Sequence, residues 1–541
     1  MYRLFELIPG TLAWSTIFAV VYFSYAAPTV VAVFIIAFDT YWFLKSVYLS
    51  LHLRVSFRKM RERMKMNWIE ELEKLEKKSI PHPNPSRSEK GEGIPSDAPS
   101  PYLWGKVGME DYNWRNIYHL VIFPIAGEPY TVVRESFERL AAVNYPKDRL
   151  IVVLATEARI PQGAKRAEHI AKEFSSLFFR FLITAHPPGI VGEIAGKGSN
   201  ETWAAKEVKR RIIDPLGLPY RRIIVSVFDS DTQVFPEYFG VLTHAFLTCA
   251  HPLRSSFQPV PLFTNNVYSS PLIARLIAFS SSFWHLMQQS RPERLTTFSS
   301  HAMPFQAVVD VGFWQTDVVS EDSRIFWQCF LHYDGDWRVE PIFYPISMDV
   351  SVAPTFWRTL ANIYKQQRRW GWGCENIPYF LAGFFRNKRL PLRRKLYWGF
   401  HYIEGFHSWA TNAIIIFTLG WLPIVLGGPE FRVTLLSFNL PRITRTIMTV
   451  AMVGIVSSAI LSIMILPPKP PWFRRRHYIL YAIQWLLTPL TLILFGAAPA
   501  LDAQTRLMLG GRFRLGFWIT PKFRETAQAE RGKKKALPSL S

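Results

Sequence analysis

Apolar blocks at both ends of the chain restrict its possible folds more than any other feature. Near the N-terminus, Thr11–Phe38 is almost wholly apolar, and the apolar character continues past Asp39 to about Leu53. A stretch of about 20 such residues is long enough to cross a bilayer. Because Pro28 divides the block, we expect two membrane spans within residues 1–53. A cleaved signal peptide is the alternative, but it would leave the second half of the block unexplained.

The C-terminal part, residues 391–501, is again rich in apolar residues. Three blocks there, Trp409–Leu426, Ile447–Leu466 and Ile479–Leu501, are each long enough for a span. The loop PPKPPWFRRRHY and the tail 502–541 are both basic, which predicts a cytosolic location for each. Three spans would put that tail opposite the soluble part. A re-entrant block, or one more span near Tyr379–Phe400, would remove the conflict.

The charge balance of the chain indicates anionic partners. The 541 residues carry 63 Lys and Arg against 41 Asp and Glu, a formal net charge of +22. The basic residues cluster beside the apolar spans, and no nucleic-acid-binding motif is visible. We therefore expect contact with a lipid bilayer and with phosphate, and no nucleic acid. Residues 54–115 read as a basic juxtamembrane helix followed by a linker rich in Pro, Ser and Gly, Ile80–Tyr102.

Between residues 116 and 390 short apolar strands alternate with helical patterns. Strands are predicted at His119–Phe123, Leu150–Leu154, Phe178–Thr184 and Ile223–Val227, with a helix over Thr131–Val143. This alternation predicts an α/β fold with a mostly parallel sheet and helices on both faces. No G-x-G-x-x-G follows the first strand, so dinucleotide binding is unsupported. The three cysteines are far apart, which excludes a zinc knuckle and predicts a reducing compartment.

Two carboxylates follow the most regular of these strands, in RRIIVSVFDSDTQVF. Asp229 and Asp231 stand one residue apart, directly after the buried run that ends at Phe228. Ligands of open α/β sheets bind beyond the carboxyl ends of the strands. Two hard oxygen ligands there can hold a divalent cation that bridges phosphates. A polar turn is the plainer interpretation, since Asp and Ser are common turn residues.

Together with Asp229–Asp231, five further segments stand in an order that resembles membrane-bound, processive glycosyltransferases of family 2, the cellulose and hyaluronan synthase type. The resemblance extends from about Val121 to Lys522. Its segments are Pro124–Glu128 (P-x-x-x-E), Lys197–Asn200 (K-x-x-N), Asp229–Asp231 (D-x-D), Ser320–Asp322 (T-E-D), Gln366–Trp370 (Q-x-x-R-W) and Phe517–Lys522 (F-x-V-T-x-K, the gating loop).

The resemblance implies a GT-A-like cytosolic domain over residues 116–390 that transfers a sugar, with inversion, from a nucleotide-sugar, a UDP-sugar by expectation. The acceptor would be a growing polysaccharide or glycolipid, and the protein would reside in the plasma or inner membrane. The implied roles are the catalytic base for Asp322, Mg2+ or Mn2+ binding for Asp229 and Asp231, acceptor binding for Glu321, Gln366 and Trp370, and donor binding for Pro124, Glu128, Glu157, Lys197, Asn200, Asp229, Arg369, Thr520 and Lys522.

These residue types suit the chemistry of sugar transfer. The leaving diphosphate gains negative charge, which a cation and the planar fork of Arg369 stabilise. The attacking hydroxyl loses a proton, which requires a carboxylate within hydrogen-bond reach. The flat face of Trp370 offers a sugar ring a stacking surface. Glu157 is the only acid after the second strand, where the family places two aspartates around the nucleoside.

Other interpretations remain open for the motifs and for the whole chain. Ser320–Asp322 could simply begin a helix, with the serine as its cap. Gln366–Trp370 could lie at headgroup depth as an interfacial segment. At the level of function, the alternatives are transfer of a single sugar to a polyprenyl phosphate or lipid, and a catalytically inactive membrane scaffold that binds sugar nucleotides.

Overall fold

The computed structural model describes residues 1–79 and 113–524. The predicted linker Ile80–Tyr102 and the end of the basic tail, including Lys533–Lys535, lie outside the described residues.

One eight-stranded sheet forms the centre of the soluble part. The strands follow the spatial order β3-β2-β1-β4-β7-β6-β8-β5. Four neighbouring strands, β3, β2, β1 and β4, run parallel, whereas β7 and β5 pair antiparallel, so the sheet is mixed. The strands are β1 (Tyr118–Pro124), β2 (Leu150–Glu157), β3 (Arg180–His186), β4 (Ile223–Val227), β5 (Gln233–Val234), β6 (Ser255–Phe263), β7 (Ala302–Pro304) and β8 (Arg338–Met348).

Helices precede, alternate with and follow these strands. In chain order they are α1 (Tyr2–Ala26), α2 (Pro28–Arg63), α3 (Trp68–Ser79), α4 (Tyr130–Ala141), α5 (Pro161–Phe174), α6 (Lys197–Val208), α7 (Tyr238–Thr248), α8 (Leu272–Gln288), α9 (Phe305–Asp310), α10 (Glu321–His332), α11 (Phe356–Gly371), α12 (Asn376–Arg386), α13 (Leu392–Phe417), α14 (Leu422–Leu426), α15 (Gly428–Arg432), α16 (Leu435–Met464), α17 (Arg475–Ile483), α18 (Thr488–Leu492) and α19 (Ala498–Leu509).

Both faces of the sheet are covered by helices. Successive side chains of a strand point to opposite faces, and in β1 Val121 and Phe123 enter one hydrophobic core while Leu120 and Ile122 enter the other. Helices α4, α5, α7 and α8 contribute to the first core, and α6, α10 and α12 to the second. Because strands β1, β2 and β4 are buried on both faces along almost their whole length, their sequences are nearly continuous apolar runs. The predicted α/β fold class is confirmed.

Four helical segments among the described residues are long and apolar enough to cross a membrane. They are α1, α2, α16 and the interrupted segment Arg475–Leu509, and the pair α13–α14, bent by 47°, is a fifth candidate. The break between the two N-terminal helices falls at Ala27, because Pro28 is tolerated at the first position of a helix. Apolar helices therefore flank the sheet domain on both sides in the sequence.

Both ends of the segment Arg475–Leu509 contact the soluble part. Near its start, Gln484 Oε1 accepts a hydrogen bond from Arg275 Nε of α8 at 2.9 Å. Near its end, Asp502 Oδ2 lies 3.0 Å from Arg368 Nη1 of α11. A segment that crossed the bilayer once would separate these ends by the thickness of the membrane. The contacts favour the re-entrant alternative over a third C-terminal span.

Candidate active site

The candidate site forms at the carboxyl ends of the parallel strands. Strand β4 ends at Val227, Phe228 is fully buried, and the chain then turns at Asp229–Asp231. Strand β1 ends beside it at Pro124, in register with Ala155 of β2. Because neighbouring parallel strands deliver their loops to the same edge, side chains distant in sequence can meet there.

Asp229 is held by a lysine and a serine. Its Oδ1 lies 3.0 Å from Lys197 Nζ, at the first residue of α6, and its Oδ2 accepts a hydrogen bond from Ser299 Oγ at 2.7 Å. Burial acts to raise the pKa of Asp229, but the charges of Lys197 and Lys522 outweigh it and hold the pKa well below its usual range. The carboxylate is therefore ionised at neutral pH.

Lys197 connects Asp229 to the acidic start of α10. Its Nζ lies 3.8 Å from Oε1 of Glu321, and Glu201 and Asp322 are among the acids whose charges act on it. Burial acts to lower the pKa of Lys197, but these carboxylates outweigh burial and raise it, with Asp229 the largest contributor. The lysine remains a cation and is the central counter-charge of the cleft.

Glu321 and Asp322 differ in exposure although they are neighbours. Asp322 is half-buried, whereas Glu321 is 2% exposed and its Oε2 has no hydrogen-bond partner among the described residues. Burial, followed by repulsion from Asp322, raises the pKa of Glu321 to about 8, against the attraction of Lys197 and Arg369. Glu321 is therefore protonated at neutral pH and can donate a hydrogen bond.

The helix-cap interpretation of Ser320–Asp322 is only partly realised. Helix α10 begins at Glu321, but the Ser320 side chain does not cap it. The serine hydroxyl instead donates to Glu375 Oε1 at 2.6 Å, and the same oxygen accepts the backbone N–H groups of Val319 and Ser320. Glu375 thus fixes the loop that presents the two acids.

Asp231 is paired with the C-terminal segment. Its Oδ2 lies 2.5 Å from Lys522 Nζ and accepts the backbone N–H of Asp349 at 2.8 Å. The Asp349 carboxylate receives two hydrogen bonds from Arg524, at 2.6 and 3.1 Å, and the same guanidinium contacts Glu135. Lys522 and Arg524, two basic side chains of the segment that follows α19, are therefore half-buried in the cleft.

The same segment brings Arg369 to the cleft. The Phe517 ring packs so closely on Gly196 that a Cβ there would come within 2.6 Å of it, which explains the glycine before Lys197. The Arg369 guanidinium lies 5.3 Å from the centre of that ring. Arg369 is also one of the charges that act on Glu321. Helix α11 and the C-terminal segment therefore border the same cleft as the aspartates.

Glu128 belongs to the same charge cluster. Its Oε2 accepts the Ala126 N–H at 2.6 Å. Burial raises its pKa, with Asp231 adding to the rise and Lys522 opposing it. Together with Lys197, Asp229, Asp231, Glu321, Asp322, Arg369 and Lys522, it completes the predicted residues that the structure brings together.

Other predicted residues lie at this edge without joining the cluster. Glu157 at the end of β2 accepts a hydrogen bond from Arg159 Nε. Asn200 donates from Nδ2 to the Ala155 carbonyl at 2.9 Å, which ties α6 to β2. Pro124 closes β1, and the buried Thr520 hydroxyl has no hydrogen-bond partner among the described residues.

Gln366 and Trp370 lie on the side of α11 that faces α8. They line a small cavity of about 10 Å³, and the Trp370 ring lies 6.0 Å from that of Phe263 at the end of β6. Both are half-buried, between the cleft helix α11 and α8. Their side chains mark the apolar flank of the site.

Three acids and one arginine were missed by the sequence reasoning. Asp349 directly follows β8, the same strand-end signal that identified Asp229. Glu201 is one helical turn after Lys197 and is 0% exposed, with neither carboxyl oxygen hydrogen-bonded among the described residues. Burial raises the pKa of Glu201 well above its usual range. Arg524 and Glu135 carry no local signal, because 389 residues separate them.

The donor set at Asp229 and Asp231 suits Mg2+ or Mn2+. Both prefer hard carboxylate oxygens, and Asp231 Oδ1 is buried with no hydrogen-bond partner among the described residues. Over residues 1–79 and 113–524, no group of three or more His, Cys, Asp or Glu side chains is placed to hold a metal. A cation here would need further oxygens from a bound ligand, as Mg2+ sites built on one or two carboxylates and phosphates do.

A family comparison decides the class of the protein. The model of the family described as "Glycosyl transferase family group 2" matches residues 224–497, just over half of the chain. The chain belongs to this family. The predicted enzyme class, a glycosyltransferase of the family 2 type, is confirmed.

Relatives of this family 2 glycosyltransferase match over part of their length. It is 37% identical to the poly-beta-1,6-N-acetyl-D-glucosamine synthase of Staphylococcus aureus (strain COL) over 89 residues, 16% of this chain and 19% of the relative. It is 21% identical to the probable glycosyltransferase YdaM of Bacillus subtilis over 310 residues, 55% of this chain and 66% of the relative. The match therefore spans about a fifth of the length of the Staphylococcus aureus relative.

Two solved structures resemble it distantly. The mannosyltransferase of Pyrobaculum calidifontis in complex with GDP-Man and Mn2+ aligns with a TM-score of 0.41 at 13% identity, over 79% of this chain and 99% of that one. Staphylococcus aureus TarS in complex with UDP-GlcNAc aligns with a TM-score of 0.29 at 13% identity, over 62% and 90%.

Proposed function

We propose that this family 2 glycosyltransferase transfers a sugar from a nucleotide-sugar, a UDP-sugar in our assignment, to a growing polysaccharide at the membrane. The supporting observation is the meeting of Asp229, Asp231, Asp322 and Arg369 around one cleft, although they are spread over 141 residues of chain. Charges of both signs alternate there, as binding a diphosphate and removing a proton require.

On the donor side, the residues of the cleft stabilise the leaving diphosphate. Asp229 and Asp231 would hold Mg2+ or Mn2+, which supplies positive charge to the phosphate oxygens when bound. Arg369 presents a planar fork that meets phosphate oxygens two at a time. Lys522 provides a second cation once its contact with Asp231 opens, while Lys197 keeps Asp229 ionised and oriented.

On the acceptor side, Asp322 is the general base. It is half-buried at the start of α10 and can accept the proton of the attacking hydroxyl. Glu321, protonated at neutral pH, can donate a hydrogen bond to an acceptor oxygen. Gln366 and Trp370 would hold the acceptor sugar from the apolar flank. One base and a direct displacement invert the anomeric centre.

The arrangement of helices supports a topology with four crossings and one re-entrant segment. Helices α1, α2, α13–α14 and α16 would cross the membrane, and Arg475–Leu509 would enter and leave on the same side. At one end of the bundle, a Cβ on Gly427 would lie 2.7 Å from Pro28. At the other, Arg63 donates to the Ile342 carbonyl and Tyr268 to the Pro467 carbonyl, each at 2.6 Å.

That topology puts the domain 116–390 and the segment 502–541 on one side of the membrane. Both are joined to the spans by basic stretches, which favours the cytosol for that side. The N-terminal pair 1–53, the juxtamembrane segment 54–115 and the membrane region 391–501 remain the proposed boundaries. A cytosolic cleft would have direct access to nucleotide-sugars.

The direct test supplies membranes that contain the protein with radiolabelled nucleotide-sugars and Mn2+ or Mg2+. Because the Staphylococcus aureus relative is a poly-beta-1,6-N-acetyl-D-glucosamine synthase, N-acetylglucosamine is the first sugar to try. We expect transfer by the wild type and a loss of about 10³-fold or more in Asp322→Asn, the order of a lost catalytic base. Asp317→Asn, an exposed acid in the preceding loop, is the matched control.

The outcomes separate the proposed function from its alternatives. Large, alcohol-insoluble product supports polymer synthesis, whereas one sugar on an organic-soluble lipid would replace it with single-sugar transfer. Tight UDP binding without turnover of any donor would favour the inactive scaffold. Full activity of Asp322→Asn would remove the proposed base.

A further inference from the structure

A groove at the edge of the membrane helices is not used by the proposed chemistry. It lies between α12, the first turns of α13 and the start of α1, and encloses about 420 Å³. Its lining is apolar apart from one lysine, and is formed mainly by Phe5, Leu381, Phe384, Leu396, Gly399 and Phe400. We refer to it as the α12–α13 groove.

The rim of the groove exposes large apolar side chains. Phe385 is 70% exposed, Leu396 64% and Phe400 67%. A contiguous patch of this kind marks an interaction site. Because α1 and α13 are both candidate membrane helices and both border the groove, a bilayer crossed by these helices would place its edge beside the groove.

A run of positive charge occupies the turn between α12 and α13, the helices that line most of the groove. Six of the ten residues Arg386–Lys395 are Lys or Arg, and none is acidic. Lys395 donates to the Phe384 and Asn387 carbonyls, so it is occupied in the α12–α13 turn. Arg386, Lys388 and Arg393 are exposed and form no ion pair with any residue that the structure describes.

We propose that the α12–α13 groove binds an anionic phospholipid of the surrounding bilayer. An acyl chain fills the apolar lining, and the phosphate lies against Arg386, Lys388 and Arg393. Each basic side chain at a membrane surface attracts anionic lipid, and clusters of four to eight beside a span are typical of such recognition. A soluble phosphate compound would satisfy the charges but leave the apolar groove empty.

The groove is connected to the cleft through one short turn. The 3-10 turn Trp372–Glu375 joins α11, which carries Arg369, to α12. Within that turn Glu375 holds Ser320 and thereby the start of α10. A headgroup bound to α12 therefore stabilises the positions of α11, which carries Arg369, and of α10, which carries Asp322. We expect transfer activity to rise with the anionic lipid content of the bilayer.

The binding test uses the purified full-length protein and does not depend on sugar transfer. Phosphatidylglycerol that remains bound in mild detergent is counted by native mass spectrometry, with phosphatidylcholine as the zwitterionic comparison. The triple substitution Arg386→Gln, Lys388→Gln and Arg393→Gln should weaken retention about 100-fold, because each of the three basic side chains contributes separately to the attraction of an anionic lipid. Arg474→Gln, Arg475→Gln and Arg476→Gln, an exposed basic run without a groove, is the matched control.

A second variant tests the groove without changing charge. A Cβ at Gly399 would meet no atom within 4 Å, so Gly399→Leu extends into the groove and should displace the lipid while the fold is kept. Equal retention of phosphatidylcholine, equal loss in the control triple variant, or full retention in Gly399→Leu would each overturn the proposal. Retention of a polyprenyl phosphate in preference to phosphatidylglycerol would also overturn it.

Discussion

At the scale of single residues, the candidate site is defined by carboxylates whose charge states differ. Asp229 is ionised because Lys197 and Lys522 oppose the effect of its burial, whereas Glu321 and Glu201 are buried without sufficient counter-charge. Environments that push the pKa values of neighbouring acids apart assign them different roles. Here they separate Asp229, with its lowered pKa, from Glu321, an acid of raised pKa next to the proposed base.

Glu321 should make the stability of the protein depend on pH. Its folded pKa of about 8 exceeds the ordinary value of 4.5, so between these values the folded state binds more protons than the unfolded state. Stability therefore falls as the pH rises from about 4.5 to about 8. Glu321→Gln, which mimics the neutral acid, should flatten this fall in melting temperature. Glu62→Gln, at an exposed position, is the control, and identical profiles for wild type and Glu321→Gln would refute the assignment.

At the scale of elements, the segment after α19 is held in the cleft by ion pairs. Lys522 reaches Asp231 and Arg524 reaches Asp349, which itself donates its N–H to Asp231. The ammonium group of Lys522 offsets the negative charge of the Asp231 carboxylate. The ammonium group and a divalent cation would therefore compete for the same carboxylate.

Removing that ammonium should raise metal affinity. In the donor-free protein, we expect Lys522→Met to bind Mn2+ about tenfold more tightly, because a positive charge beside Asp231 is lost. The free Mn2+ signal in electron paramagnetic resonance measures this without catalysis. Lys365→Met, an exposed lysine on α11, is the comparison. Unchanged or weaker Mn2+ binding by Lys522→Met would exclude the competition.

At the scale of the whole molecule, the proposed topology rests on contacts between distant helices. The α1 end that carries Arg3 meets the last turn of α19, with Arg3 Nη1 donating to the Leu507 carbonyl at 3.0 Å. The chain then enters the cleft as far as Lys522. The proposed four crossings and one re-entrant segment place these ends together, which a fifth crossing would prevent.

Cysteine labelling in intact cells tests that arrangement. Val191 is 99% exposed in the soluble part, and Val433 is 86% exposed in the turn before α16. With Cys249 replaced by Ser, a membrane-impermeant maleimide should label Val433→Cys in sealed cells and Val191→Cys only after permeabilisation. Labelling of both on the same side would contradict the topology, and labelling of Val191→Cys alone would reverse its orientation.

Local patterns in the sequence predict β1 to β4, four of the eight strands of the sheet. The strand Ile223–Val227 has the bounds that its apolar run predicts, because a strand buried on both faces needs an unbroken apolar run. The predicted strand Leu150–Leu154 extends to Glu157, since burial continues through its polar end. The antiparallel strands β5 and β7, two and three residues long, are too short to leave a periodic signal.

The sequence by itself determined the apolar blocks at both ends, the first four strands, the class of fold and the acids at the end of β4, because hydrophobic periodicity and strand ends are local properties. Only the tertiary structure decided that Asp349, Glu201 and Arg524 belong to the cleft, and that both ends of Arg475–Leu509 face the soluble part. These depend on which charges are buried together, and burial is set by packing between segments hundreds of residues apart.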